Sequence, residues 1–255
     1  MTDFNYIPHS DLLELRRFNT PTIYNGWERV TRQERLDCSL NWQDGLTDFT
    51  PQMGVMVGYA VTVEYVCGDR KKFESYENPS LNLYKYLASI PGPKILIAKD
   101  LEAPTSKGAI LGEVTGNAYR ALDCVGVITD GCARDVDEAA YGGFKIMARR
   151  LCVGHGYSCP FRFGGEVEIY GAKVKPGMLV CADKYGFIAI PQEDTEYLLE
   201  AIRFMDTAEC KETIVAAREV VGLSPDEIIE SLTASNRRFA KLVSDYMQKL
   251  RDRRM

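Results

Sequence analysis

Residues 112–138 read GEVTGNAYRALDCVGVITDGCARDVDE, and the interpretation of the chain starts from them. Glycines bracket a helix start, Gly112-Glu113-Val114-Thr115-Gly116. Val114, Ala118 and Leu122 then recur at helical spacing, which predicts a helix packed through that face. The apolar run 125–128, closed by Asp130-Gly131, predicts a buried strand ending in a turn. Arg134-Asp135 follows at once, with Asp137 and Glu138 just beyond. A helix start presents unpaired backbone N–H groups and the positive end of the helix dipole. Layered α/β folds hold ligands at the ends of their buried strands. An arginine beside a carboxylate at such a place offers one fixed cation and one metal ligand.

A second patterned region lies downstream: Val167-Glu168-Ile169, Gly171, Lys175-Pro176-Gly177-Met178-Leu179-Val180, Ala182-Asp183, and then Gly186 through Pro191. Together the two regions resemble the family of RraA-like proteins and 4-hydroxy-4-methyl-2-oxoglutarate aldolases. That family's pattern is a Gly-Glu/Asp helix start, then Asp-Gly-x-x-Arg-Asp, with an acidic residue three positions after the Asp. Here these are Gly112-Glu113, Asp130-Gly131-Cys132-Ala133-Arg134-Asp135 and Glu138. Two separated motifs in the right order are far more specific than either alone. The resemblance spans roughly residues 15–195 and implies the swivelling β/β/α fold of the α/β class. It also implies assembly as a homotrimer or a dimer of trimers, with sites at subunit boundaries. Residues 1–192 are then read as the RraA-like domain. Residues 193–255 are an added helical extension in the same structural unit, serving packing or oligomerisation. One departure stands out. Where the family usually carries an Asp-Ala pair, this chain has Tyr24-Asn25-Gly26-Trp27, so a family contact at that place does not carry over.

The bulk properties are those of an ordinary globular chain. The 255 residues are 45% hydrophobic and 26% charged, enough for a sizeable core. A net charge of −5 argues against a nucleic-acid binder, which usually displays a basic surface. No apolar run approaches the roughly 18 residues needed to span a bilayer, and residues 1–17 lack an apolar signal core. A cytoplasmic protein with no membrane partner is expected. The eight cysteines are irregularly spaced, without a CxxC pair, and read as reduced, mostly buried thiols. With only His9 and His155, a histidine-rich metal centre is unavailable.

Along the chain, residues 11–18 predict a short helix and 52–66 one long strand. Residues 82–89 predict a helix, 94–98 a short buried strand and 144–148 another. Residues 152–166, CVGHGYSCPFRFGGE, read as a glycine-rich loop, and 167–190 as three short strands. Beyond residue 193 the pattern turns helical, with Leu198, Leu199, Ile202 and Met205 in register. Ser224-Pro225-Asp226-Glu227 reads as a helix start. Lys145 and Lys173 read as solvent-facing strand positions.

Cleaving a 4-hydroxy-2-oxo acid between C3 and C4 leaves a pyruvate enolate, whose charge must be stabilised where it develops. A divalent cation bridging the 2-oxo and carboxylate oxygens does this as a Lewis acid. Hard ions such as Mg²⁺ or Mn²⁺ take few protein carboxylates and keep several waters. Asp135 is the candidate direct ligand, with Glu138 and Glu113 gripping bound waters. Arg134 is the candidate contact to the 2-oxo oxygen and the enolate. Backbone amides of Gly112, Glu113, Val114 and Thr115 are the candidate cradle for the substrate carboxylate. The resemblance implies these same roles for the 112–115 loop, Arg134 and Asp135. The base stays open between a metal-bound hydroxide and a water held by Glu113. His155 is read first as an ordinary loop residue and second as a proton carrier.

The expected function is thus a divalent-metal-dependent lyase releasing pyruvate from a 4-hydroxy-2-oxo acid. Oxaloacetate, which decarboxylates through the same enolate, is a second candidate substrate. The alternative comes from another class: some RraA-like proteins bind and inhibit an RNA-processing enzyme and need no chemistry of their own.

Overall fold

The computed structural model describes residues 6–35 and 39–254. In chain order the elements are α1 (His9–Leu15), α2 (Thr20–Val30), β1 (Thr47–Asp48), β2 (Met56–Val66), α3 (Arg70–Ser75), α4 (Pro79–Ala88), β3 (Lys94–Asp100) and β4 (Ala109–Leu111). Then come α5 (Glu113–Ala121), β5 (Cys124–Thr129), β6 (Cys132–Ala133), α6 (Val136–Tyr141), β7 (Lys145–Ala148), β8 (Arg150–Leu151) and β9 (Cys159–Phe163). The chain continues through β10 (Val167–Ile169), β11 (Ala172–Val174), β12 (Leu179–Asp183) and β13 (Gly186–Ile190), and ends in α7 (Leu198–Ala208), α8 (Val215–Glu219) and α9 (Pro225–Arg254). The chain divides into two compact units: Met1–Pro21 with Gln33–Glu196, and Thr22–Arg32 with Tyr197–Met255.

The first unit is built on a mixed sheet ordered β1-β7-β5-β3-β2-β12-β13. β2, β3, β5 and β7 run parallel, joined by helical crossovers. The far edge of β2 is shared. Its first half pairs with β12 and its second half with β9, both antiparallel. Strand periodicity of two then sorts the side chains into two layers. Val61, Val63 and Tyr65 of β2, Leu96 of β3, Val127 of β5 and Ile146 of β7 face the helices, where Leu83, Leu87, Tyr119 and Ala139 meet them. Met56, Ala60, Ile95, Ile97, Ile128 and Met147 face the other way, onto the β10–β11 hairpin through Ile169, Ala172 and Val174. The result is the β/β/α layering expected from the sequence. Such near-continuous apolar runs belong to strands covered on both faces.

Four readings of the sequence change. The 152–166 segment is not all loop: residues 159–163 form β9, whose brief alternation is hidden among glycines and proline. Residues 167–190 hold four strands rather than three. The face of α5 that packs is Gly116 and Tyr119, while Val114 is 81% exposed. Leu122 packs partly against the same core as Tyr119, and of the three residues at helical spacing only Val114 is exposed. Lys145 is buried rather than solvent-facing: its ammonium lies 2.6 Å from Asp48 Oδ2 and also donates to the Thr50 carbonyl at 3.1 Å. Lys173 is exposed as read.

Within the second unit α2 is a full helix that starts at the Thr20-Pro21-Thr22 stretch. Its Trp27 and Ile23 are buried, and Asn25 donates to Glu209 at 3.1 Å. One wide π-helical turn, Glu209–Ile214, separates α7 from α8, and Ser235 Oγ donates to the Glu212 carbonyl it exposes, at 2.8 Å. α9 starts as its sequence predicts: Glu227 folds back to accept from the Ser224 N–H at 2.9 Å and hydroxyl at 2.6 Å, a capping box. Phe204 stacks on Tyr246 with ring centroids 4.1 Å apart. No helix among the described residues is long and apolar enough to cross a membrane. Seven cysteines are free thiols, five of them buried. Cys38 lies outside the described residues.

Candidate functional site

Two chain exits meet at the edge of a small parallel sheet. β4 runs beside β6, with Ala109 opposite Cys132 and Leu111 opposite Ala133. The Arg134 N–H donates to the Leu111 carbonyl at 3.0 Å. In this register the residue leaving β4, Gly112, lies beside the pair leaving β6, Arg134-Asp135. α5 and α6 then start side by side. Asp135 takes the left-handed backbone conformation, φ 53° and ψ 46°. That region is costly for most L residues, though Asp tolerates it better than most, and such outliers cluster at functional sites. Here it turns the Asp135 carboxylate back over the start of α5. Oδ2 accepts from the Glu113 N–H at 3.1 Å and lies 3.3 Å from Arg134 Nε. Arg134 is held at a second point, where Nη1 donates to the Val153 carbonyl at 3.2 Å.

Gly112 makes the convergence possible. A Cβ on it would sit 2.5 Å from Asp135 Oδ2 and 3.0 Å from Arg134 Nε. At Gly116, by contrast, a Cβ would find its nearest neighbour, Phe144 Cδ1, 3.6 Å away. Gly112→Ala is therefore expected to lower activity about a hundredfold, the usual cost of displacing reacting groups by roughly 1 Å. Gly116→Ala should stay within a few-fold of wild type, and both variants should keep the wild-type circular dichroism spectrum. Equal activity of the two would show that the Gly112–Asp135 approach does not matter.

The four predicted cradle amides are not equivalent. The Gly112 N–H donates to Thr115 Oγ1 at 3.1 Å, and the Glu113 N–H goes to Asp135. Those of Val114 and Thr115 have no acceptor among the described residues, as first-turn donors of a helix do not. They border a cavity of about 200 Å³ that Arg134 and Asp135 also line. Its volume is below the range usual for drug-sized ligands and suits a compact organic acid. Glu113 and Glu138 sit on the exposed first turns of α5 and α6 and do not line it. Asp130, the first residue of the Asp-Gly-x-x-Arg-Asp motif, is structural. It is buried, pairs with Lys99, and accepts the Asp100 N–H at 2.8 Å.

His155, read in the sequence as a loop residue or proton carrier, and three residues not singled out there complete the cavity. Tyr65 and Tyr119, both buried, join hydroxyls at 2.8 Å. Burial pushes both phenols far above their usual range, so they stay protonated, one hydroxyl donating to the other. Ser158 and His155 close another side. Tyr119 carried a readable signal, since it stands one helical turn after Thr115. Tyr65 and Ser158 carried none, because their proximity depends on β2 pairing with β9.

Asp135 Oδ2 is engaged, whereas Oδ1 has no hydrogen bond among the described residues. One half-exposed hard oxygen suits Mg²⁺ or Mn²⁺ that keeps most of its waters. No group of three or more His, Cys, Asp or Glu side chains gathers among the described residues, so a site closed by protein ligands is not built there. The Cys132 thiol nearby is pushed up to about 11 by burial and by the neighbouring Cys152, which leaves it protonated.

A larger cavity, about 590 Å³, opens at the opposite ends of β2, β3, β5 and β7. Leu12, Leu13, Met53 and Met56 line much of it, and its one buried cation, Lys145, already has Asp48 as partner. The smaller cavity has the convergent donors and lies beyond the carboxyl ends of strands, where α/β folds bind ligands.

Comparison with known proteins bears on the family and the fold. A family model described as RraA-like, aldolase/RraA, matches residues 23–189. An uncharacterized protein of Methanocaldococcus jannaschii is 25% identical over 121 residues, 46% of this chain. The match spans 57% of that protein's length. The structure of an uncharacterized protein from Pseudomonas syringae pv. tomato superposes with a TM-score of 0.67 at 18% identity, covering 91% of this chain and 98% of that one. Streptomyces coelicolor RraAS2, described as an unusual member of the RNase ES inhibitor RraA family, gives 0.61 at 17% identity, covering 83% and 98%. At these identities the two structures speak to the fold alone. The family takes in both 4-hydroxy-4-methyl-2-oxoglutarate aldolases and RraA-type regulators. With its β/β/α layers and a family match over well beyond half its length, this chain belongs to the RraA-like family.

Proposed function

We propose that the protein is a divalent-metal-dependent carbon–carbon lyase that releases pyruvate from a 4-hydroxy-2-oxo acid, and that it also decarboxylates oxaloacetate. The observation that carries this reading is the convergence on one small cavity of the free α5 amides, the Arg134 guanidinium and the Asp135 carboxylate. The Val114 and Thr115 amides bind the substrate carboxylate with the helix dipole behind them. Arg134, already oriented at Nε and Nη1, directs its remaining N–H donors to the 2-oxo oxygen and stabilises the enolate as C3–C4 breaks. Asp135 would hold the metal directly, with Glu138 and Glu113 reaching it through water. When bound, the ion supplies Lewis-acid polarisation of the 2-oxo group. Assembly as a trimer or a dimer of trimers belongs to the same proposal.

A panel of 4-hydroxy-2-oxo acids and oxaloacetate, assayed for pyruvate with Mg²⁺, Mn²⁺ or chelator, tests it. Metal-dependent release that disappears in Asp135→Ala is the expected result. If the wild type releases no pyruvate from any of them, and instead co-purifies stoichiometrically with an RNA-processing enzyme that it inhibits, the regulator reading replaces this one.

A further inference from the structure

We infer that His155 is the catalytic proton carrier of this site, an inference that rests on the lyase reading. The titratable side chains lining the cavity are Tyr65, Tyr119, Arg134, Asp135 and His155. The two tyrosines are held protonated by burial, and Arg134 is a permanent cation. Asp135 is engaged at Oδ2 by the Glu113 N–H and Arg134, and its Oδ1 is assigned to the metal. His155 alone brings an uncommitted ring nitrogen. Its Nδ1 lies 3.0 Å from the Gly156 carbonyl. A carbonyl only accepts, so the proton of the neutral ring resides on Nδ1 and Nε2 keeps a bare lone pair. No hydrogen bond engages Nε2 among the described residues.

The ring is carried by an ordered loop. The Gly154 carbonyl accepts the Ala109 N–H at 2.8 Å, the His155 carbonyl accepts the Ser158 N–H at 3.1 Å, and the Tyr157 N–H donates to the Cys67 carbonyl at 2.7 Å. Gly108 lets the loop approach, since a Cβ there would lie 2.4 Å from the His155 carbonyl oxygen. The same loop carries Val153, whose carbonyl orients Arg134. One backbone segment therefore fixes both the enolate-stabilising cation and the base, which is what a pre-organised site requires. The ring is also exposed, so it exchanges protons with solvent between turnovers.

The chemistry balances without any other reactant. Nε2 removes the proton of the substrate 4-hydroxyl. The C4–O bond becomes a carbonyl, the C3–C4 bond breaks, and its electron pair passes into the enolate of pyruvate. The Nε2 proton is then delivered to C3. One hydroxy-oxo acid gives pyruvate and one carbonyl compound, and the imidazole returns neutral. Oxaloacetate carries no 4-hydroxyl, so loss of CO₂ needs no base at this position.

That difference supplies the test. His155→Gln and His155→Ala are compared with wild type on a 4-hydroxy-2-oxo acid and on oxaloacetate under the same metal and buffer. Cleavage of the hydroxy acid should fall roughly a hundredfold or more, the usual contribution of a positioned base. Oxaloacetate decarboxylation should fall far less, because its enolate takes the C3 proton from solvent, and added imidazole should restore cleavage in His155→Ala. Undiminished cleavage, or equal loss of both reactions without rescue by imidazole, overturns the assignment. A wild type that cleaves neither substrate sinks the lyase reading itself, a result distinct from the failure of His155 alone.

Discussion

Arg134→Gln is expected to cut pyruvate release by two to three orders of magnitude while leaving the fold intact. Removing one pre-organised donor to a developing oxyanion typically costs 10²–10³ in turnover, about 3–4 kcal/mol. Arg134 meets the conditions for a loss of that size. Nη1 donates to the Val153 carbonyl and Nε sits in ion-pair contact with Asp135, which holds the guanidinium in place, and the side chain is still 36% exposed. Arg134→Lys should recover little, because an ammonium cannot keep both anchors and also face the substrate. Stability should barely move, since a half-exposed ion pair contributes about 0–1 kcal/mol. Steady-state kinetics and a thermal melt on the same preparation separate the two effects. A fall in turnover of less than threefold, or a melt lowered as much as the activity, would remove Arg134 from the chemistry.

The largest expected loss of stability lies elsewhere. Lys145→Met leaves Asp48, whose side chain is 3% exposed, without its counter-ion at the β1–β7 edge. Breaking a buried pair from one side costs about 3–5 kcal/mol, because the remaining charge stays desolvated. For a chain of this size that corresponds to a melting temperature lower by about 10 °C. Pairing Lys145→Met with Asp48→Leu should recover most of the loss, since replacing both partners with apolar groups is often neutral. The Thr50 N–H, which Asp48 accepts at 3.0 Å, and the Thr50 carbonyl, which Lys145 bonds, will lose partners, so recovery will be incomplete. A single variant that melts with the wild type would show the ion pair to be dispensable.

Local patterns carried much of this molecule. Near-continuous runs such as KILIA, the turn at Asp130-Gly131 and the helix start at Ser224-Pro225 act within a few residues, so the sequence expresses them directly. The same holds for the candidate loop 112–115 and the Arg134-Asp135 pair: each is contiguous, and each stands just past a strand end. Loop 152–158 was harder to place. Its glycines and lone histidine look unremarkable in one dimension, and β9 is too short to show its period.

What the sequence alone pointed to was the layered α/β character, the family, and candidate residues for an oxo acid and a hard cation. Chain proximity and periodicity are enough for that. Tertiary structure decided which of those groups meet. The β4–β6 register sets Gly112 against Asp135, and the left-handed turn at Asp135 aims its carboxylate. Pairing of β2 with β9 brings Tyr65 and His155 to the same cavity from about 90 residues apart. The burial of Lys145 was decided the same way, because a cation's environment depends on a partner 97 positions away and not on its neighbours.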